Sequence, residues 1–144
     1  MIELSLLKDH LESIDRENWL KLFGLLDSMK KQQKFSHLRK SQKLSVGTFS
    51  FPSINPAPLV DHFLKVVYDL GIIANFDWPA WKEGREILKD LEKRLDDLNA
   101  VTLCQLLTLI IRSDRFNEGF LVNCFENGNI QRIISALKNR IYPE

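Results

Sequence analysis

From Leu103 to Ile111 the chain reads LCQLLTLII, and Gln105 and Thr108 are its only polar side chains. A helix built from these residues has no polar face to offer water, so other elements must enclose it on all sides. It is too short to cross a bilayer, which takes about 20 apolar residues. The stretch 101–119 therefore predicts the central helix of a soluble domain, capped at its start by Asn99 and running out into a knot of charge formed by Arg112, Asp114, Arg115 and Glu118. With 144 residues, the chain is long enough to supply the coat as one domain without disulfides or metals.

The coat is legible as further amphipathic helices. Leu4, Leu7, Leu11 and Ile14 make a stripe on a first helix ending near Ser13. Asp15 is an N-cap for a second helix carrying Trp19, Leu22, Phe23, Leu26 and Met29 at helical spacing. Asn55 and Pro56 predict the start of a third helix, with Leu59, Val60, Phe63, Leu64, Val67 and Leu70 on its buried side and Gly71 as its stop. Asp77 can cap a fourth helix containing Trp81, Arg85, Leu88, Leu91 and Leu95. The outer face of that helix, with Lys82, Glu83, Glu86, Lys89, Asp90, Lys93 and Arg94, reads as simply wet. A helix over about 118–127 stops at Gly128, and Asn129 caps a last one bearing Ile130, Ile133, Ile134, Leu137 and Ile141. Two cysteines, Cys104 and Cys124, lie in apolar patterns without metal or redox spacing, as buried small hydrophobes in a reducing compartment.

Between the second and third helices the composition changes. Lys30, Lys31, Lys34, Arg39, Lys40 and Lys43 follow one another with no acidic residue among them. The plainer reading is a solvated helix end and a mobile, exposed loop; the functional one is a phosphate-contacting surface, for which only Phe35 and His37 can stack on a base. The net charge of +1 lends no support to a general nucleic-acid or membrane-surface binder. Residues 44–51, LSVGTFSF, have the β-branched and aromatic content of a lone strand or short hairpin, closed by Pro52, Pro56 and Pro58. The start of the chain lacks the pattern of a secretion signal, which implies a cytoplasmic setting.

Three motifs then stand out: FDWPAW (76–81), LLTLIIRSDRFNEG (106–119) and FENGNI (125–130). Together with the preceding INPAPLVDHFLKVVYDLGII they resemble a bacterial family classed as a domain of unknown function, over roughly residues 52–137. The N-terminal third matches that pattern poorly. The resemblance supports the integrity of the domain and directs attention to these motifs, and it implies no reaction, ligand or catalytic residue.

Arg112 and Arg115 are fixed cations whose planar forks suit a carboxylate or phosphate. Asp114, Glu118, Asp77 and Glu83 can supply an acid and a base if burial separates their pKa values. The plainer reading is a polar network at the mouth of the central helix: Arg112 and Glu118 match the helix dipoles, and Asp114 and Arg115 satisfy a turn. Under it, Arg112 or Arg115 is partly buried and paired with Asp114, Glu118 or Asp77. Trp78 and Trp81 are core anchors on one reading and ligand platforms on the other. Catalytic signatures are absent, and His10, His37 and His62 stand singly without metal-ligand spacing, so no cofactor or metal is expected and the chain leans away from an enzyme.

The expectation is a mainly α protein: a single compact multi-helix domain of about six or seven helices. It comprises a helical hairpin (1–33), a basic connector (34–54) with a short irregular or extended segment near 44–54, and a helical core (55–141). Functionally it is a small binding or protein-interaction module, with self-association as one form of partnering. The alternatives are a small-molecule or anion site, enzymatic or not, built around RSDRFNEG, and a weak nucleic-acid contact through 30–43. No membrane partner is expected.

Overall fold

A computed structural model of the chain describes residues 1–32, 34–39, 43–45, 48–49 and 53–143, and the side chains of 1–32, 34–35 and 57–143. A short strand, β1 (Ile2–Glu3), leads into α1 (Leu4–Ser13), α2 (Arg16–Phe23) and α3 (Leu25–Lys31). Asp15 caps α2 as its side chain predicts, accepting from the Asn18 N–H at 2.9 Å. The single helix expected over this region is instead two, broken at Gly24. A Cβ there would lie 2.8 Å from the Leu20 carbonyl oxygen, an approach that only glycine permits. Both halves keep the predicted stripe, and Trp19, Leu22, Phe23, Leu26 and Met29 are all buried.

The basic segment departs from the expected open loop. Lys30 and Lys31 complete the last turn of α3. Beyond them, β2 (Ser36–Arg39) pairs antiparallel with β5 (Ser53–Pro56), and β3 (Lys43–Ser45) pairs antiparallel with β4 (Thr48–Phe49). Of the extended run expected over 44–51, Leu44 and Ser45 lie in β3 and Thr48 and Phe49 in β4, and the rest, with Pro52, lies outside the described residues. The pairing also moves the next helix start. Asn55 and Pro56 belong to β5, opposite His37 and Ser36, so α4 (Pro58–Leu70) begins two residues later with Pro58 in its first turn. Either proline satisfies the local rule for a helix start; the ladder to β2, with the Ala57 N–H bonded to the Phe35 carbonyl at 2.7 Å, chooses between them.

Gly71 ends α4 in the left-handed region at φ 71°. His10 Nε2 donates to the Leu70 carbonyl at 2.7 Å, and a Cβ on Gly71 would sit a tight 3.0 Å from that nitrogen, so glycine here relieves crowding and suits the left-handed conformation. The chain continues through β6 (Ala74–Asn75), a 3-10 turn (Trp78–Ala80), α5 (Lys82–Lys89), α6 (Leu91–Arg94) and a second 3-10 turn (Leu95–Asp97). It then enters α7 (Ala100–Ser113), α8 (Phe120–Glu126) and α9 (Asn129–Ile141). The fourth helix expected from the sequence is divided at Asp90, whose φ of −135° is not helical. Asp77 makes no side-chain cap, since the 3-10 turn intervenes and α5 starts only after Trp81. At α9 the capping role passes from Asn129 to its neighbours: Gly128 precedes the helix at φ 87°, and Asn127 Oδ1 accepts the Asn129 N–H at 2.9 Å.

α7 is the central helix. Asn99 caps it by accepting the Thr102 N–H at 2.8 Å, and α1, α5, α8, α9 and β6 all pack on it. Leu103, Leu106, Leu107, Ile110 and Ile111 are buried, as the absence of a polar face requires. Thr108, fully enclosed, uses its hydroxyl twice. It donates to the Cys104 carbonyl at 2.9 Å and accepts the Ala74 N–H at 3.0 Å, which fastens β6 to the helix. β6 in turn pairs in parallel with β1, Ile2 opposite Ala74, so the start of the chain is tied to the central helix through one hydroxyl and two residue pairs. The hydrophobic cluster is continuous from Leu7 to Leu137, and the molecule is a compact helical domain.

Candidate functional site

FDWPAW folds into a bracket. The Phe76 and Trp81 rings meet edge to face at 5.5 Å, and the Trp81 indole lies against α5 at Gly84, where any Cβ would come within 2.3 Å of the ring. This explains the glycine one turn into the helix, and it commits Trp81 to packing. Trp78 lies on the other side of the bracket, half-buried, with its ring 6.1 Å from that of Phe116.

Phe116 comes from the second motif. Asp114, at the end of α7, accepts the Gly119 N–H at 3.2 Å and the Leu121 N–H at 3.1 Å through the same carboxylate oxygen, drawing 114–119 into a closed loop that starts α8. Gly119 adopts φ 91°, which a side chain would resist. Held this way, Phe116 is 82% exposed, a large apolar ring standing in solvent beside Trp78.

Between bracket and loop lies a cleft of about 730 Å³, walled by Trp78, Pro79, Leu88, Leu109, Phe116 and Phe120. Ser113, Asn117, Asn127 and Asn129 give it neutral polar groups, and Arg85 and Lys89 stand at its α5 side. Arg85, Leu88 and Lys89 share one face of α5 by their spacing. Arg85 donates from Nη1 to the Pro79 carbonyl at 2.8 Å, which stiffens the bracket. Lys89 pairs with Glu86 at 3.4 Å, both side chains largely in water. Among the described residues that line the cleft none is acidic. Cys124 closes its floor, and burial, helped by the charge of Asp114, pushes its thiol up to about 12. Cys104 is pushed to about 12 by burial alone. Both are protonated at neutral pH, when a nucleophile would need to be a thiolate.

Of the candidate site residues drawn from the sequence, Trp78 alone among those described lines this cleft. Arg112 is half-buried and donates from Nη2 to the Met1 sulfur. Arg115 and Glu118 are exposed in the loop, Asp77 is exposed before the 3-10 turn, and Asp114 closes the loop through backbone N–H groups. The two motifs do pack together, through the rings of Trp78 and Phe116. In the basic segment, Lys30, Lys31 and Lys34 are exposed. Phe35 is lost as a stacking platform: it is 1% exposed and packs on Phe125 at 5.1 Å. Lys40 lies outside the described residues, as do the side chains of His37, Arg39 and Lys43.

Sequence reasoning missed Arg85, Lys89 and Phe116. In the sequence Arg85 looks only like a member of the fourth helix's stripe and Lys89 like part of its wet face, and Phe116 lies unremarked between Arg115 and Glu118. It also missed Arg140 at the end of α9, which donates to the carbonyls of Leu98 at 2.8 Å and Leu95 at 2.9 Å and so satisfies the 3-10 turn that precedes α7. Among the described residues no cluster of His, Cys, Asp or Glu could hold a metal, and no helix is long and apolar enough to cross a membrane.

No curated protein and no solved structure matches this chain. A family model does, over residues 14–142, and so reaches well into the N-terminal third that the motifs alone leave outside. With α2 to α9, the bracket and the loop all inside the matched region, the chain belongs to DUF6508, a family of unknown function.

Proposed function

We propose that the protein is a non-enzymatic binding module whose ligand seats in the cleft between the Trp78–Ala80 turn and the 114–119 loop. The observation that carries this reading is Phe116, a phenylalanine 82% exposed at the mouth of a largely apolar concavity. Leaving that ring in water forgoes the roughly 1.5–3 kcal/mol that burying it would contribute. A loop closed by a carboxylate and a left-handed glycine holds it there all the same. The volume, about 730 Å³, is in the range of small-molecule sites. The ionisable groups of the lining are two cations and a protonated thiol, a set suited to holding a ligand and poorly suited to moving a proton.

The test is a titration with the neutral fluorescent probe N-phenyl-1-naphthylamine. The wild type is expected to bind it, and Phe116→Ala and Trp78→Ala to bind it roughly 3–10-fold more weakly, the scale of one aromatic contact. A wild type that leaves the probe dark, or affinities that both substitutions leave unchanged, would refute the reading.

A further inference from the structure

We infer that the cleft selects an aromatic or similarly flat apolar molecule bearing one anionic head, a carboxylate, sulfonate or phosphate, and that Arg85 and Lys89 receive the head. The inference rests on the cleft being a binding site and adds the chemical class of its ligand. Its first support is the distribution of charge: among the described residues the lining has Arg85 and Lys89 on one side and no Asp or Glu, although the chain as a whole carries nearly as many acids as bases. Its second is placement. Both cations stand on the one face of α5 that also presents Leu88 to the cleft, so a ligand whose body lies on Leu88, Trp78 and Phe116 brings a terminal anion within their reach.

Their present engagements leave them available. Arg85 spends one nitrogen, Nη1, on the Pro79 carbonyl, and a guanidinium carries five N–H donors in a rigid fork, so it is held in position with donors to spare. The ion pair of Lys89 with Glu86 is made between side chains 73% and 66% exposed. Such a pair is screened by water and is easily exchanged for a ligand anion in a less solvated place. The neutral amides of Asn117, Asn127 and Asn129 serve any polar edge on the body and do not oppose the charge at α5. At 6.1 Å between centroids, Trp78 and Phe116 are too close to admit a third ring between them, so they form one wall on which a flat body lies.

Two probes with similar naphthyl bodies separate the inference from the reading beneath it. 8-Anilinonaphthalene-1-sulfonate carries the anion and N-phenyl-1-naphthylamine lacks it. The wild type is expected to prefer the sulfonate at low salt, with the preference shrinking as salt rises. Lys89→Gln and the double substitution Arg85→Gln/Lys89→Gln are expected to weaken the sulfonate progressively, by about tenfold for the double variant, and to weaken it more than the neutral probe. Because Arg85 also braces Pro79, the single Lys89 variant and the salt series on the wild type decide the matter if the double variant loses both probes. Equal affinities for the two probes, insensitive to salt and to Lys89→Gln, would overturn the anionic head and leave an apolar cleft standing. Failure of the wild type to bind either probe would overturn both.

Discussion

Two aromatic clusters of this protein are built alike and exposed differently. Phe125 of α8 meets Phe35 at 5.1 Å and Phe63 of α4 at 5.1 Å, and all three rings are sealed from water. About one helix length away in sequence, Phe116 meets Trp78 at 6.1 Å with most of its surface in solvent. The first cluster joins the link before β2 to α4 and α8 in the core, where all three rings are buried. The second lacks a lid. Ring contacts alone therefore do not tell a buried cluster from an exposed one; what distinguishes them is whether other residues cover the outer faces, and among the described residues none covers most of Phe116.

The comparison breaks most sharply at Phe125. Phe125→Ala removes the ring shared by two contacts and should cost about 3–5 kcal/mol, read as a large fall in the midpoint of a denaturant melt. A midpoint within error of the wild type would mean that the buried cluster is not a cornerstone of the fold. Asp114→Ala probes the link between the clusters, because its carboxylate holds both the loop that displays Phe116 and the start of the helix that carries Phe125. Leaving two part-buried N–H groups without their acceptor should cost about 1–3 kcal/mol. It should also weaken binding of the naphthyl probe, since Phe116 is no longer held. Unchanged stability combined with unchanged binding would show that the loop closes without it.

Alkaline pH tests the sealed side by a different route. Cys104 and Cys124 both have folded thiol pKa values raised from 9.0 to about 12. In the unfolded chain they ionise at the lower value, so between the two the unfolded state holds fewer protons than the folded one and stability falls as pH rises. The contribution is fully present below pH 9.0 and is lost progressively up to about 12. Comparing the wild type with Cys104→Ala over that window should show a shallower decline in the variant. Identical slopes would mean that the thiol is not desolvated. The smallest effect on stability belongs to Phe116→Ala, which should lie within about 0.5 kcal/mol of the wild type because the ring is already in water. A loss above about 2 kcal/mol would make Phe116 a structural residue and erase the contrast with Phe125.

Much of this was legible in local pattern. The central helix with its Asn99 cap, the Asp15 cap, the Gly71 stop and the buried stripes all follow from spacing and from side chains that act on their own turn of helix. The misplacements share a cause. Pro56 and Pro58 are equally good helix starters, and the ladder between β2 and β5 decided which was used. Asp77 and Asn129 are competent caps whose neighbours, Trp81 packed on Gly84 and Gly128 in the left-handed region, set the helix boundary elsewhere.

The candidate site was less legible, because a charged knot beside an apolar helix draws the eye to the charges. Asp114 proved to be the latch of a loop, while the functional candidates were the uncharged residues between the charges and two cations on a helix separated from them by some thirty positions. The sequence by itself determined that α7 must be buried, that helices must coat it, and where most of them stop, since each of these depends on contacts a few residues apart. Only the tertiary structure decided that Arg85 and Lys89 share a cleft with Phe116 while Arg112 meets the Met1 sulfur instead, because which face of a helix meets a distant loop depends on how α5, α7 and α8 cross, and no local pattern encodes that crossing.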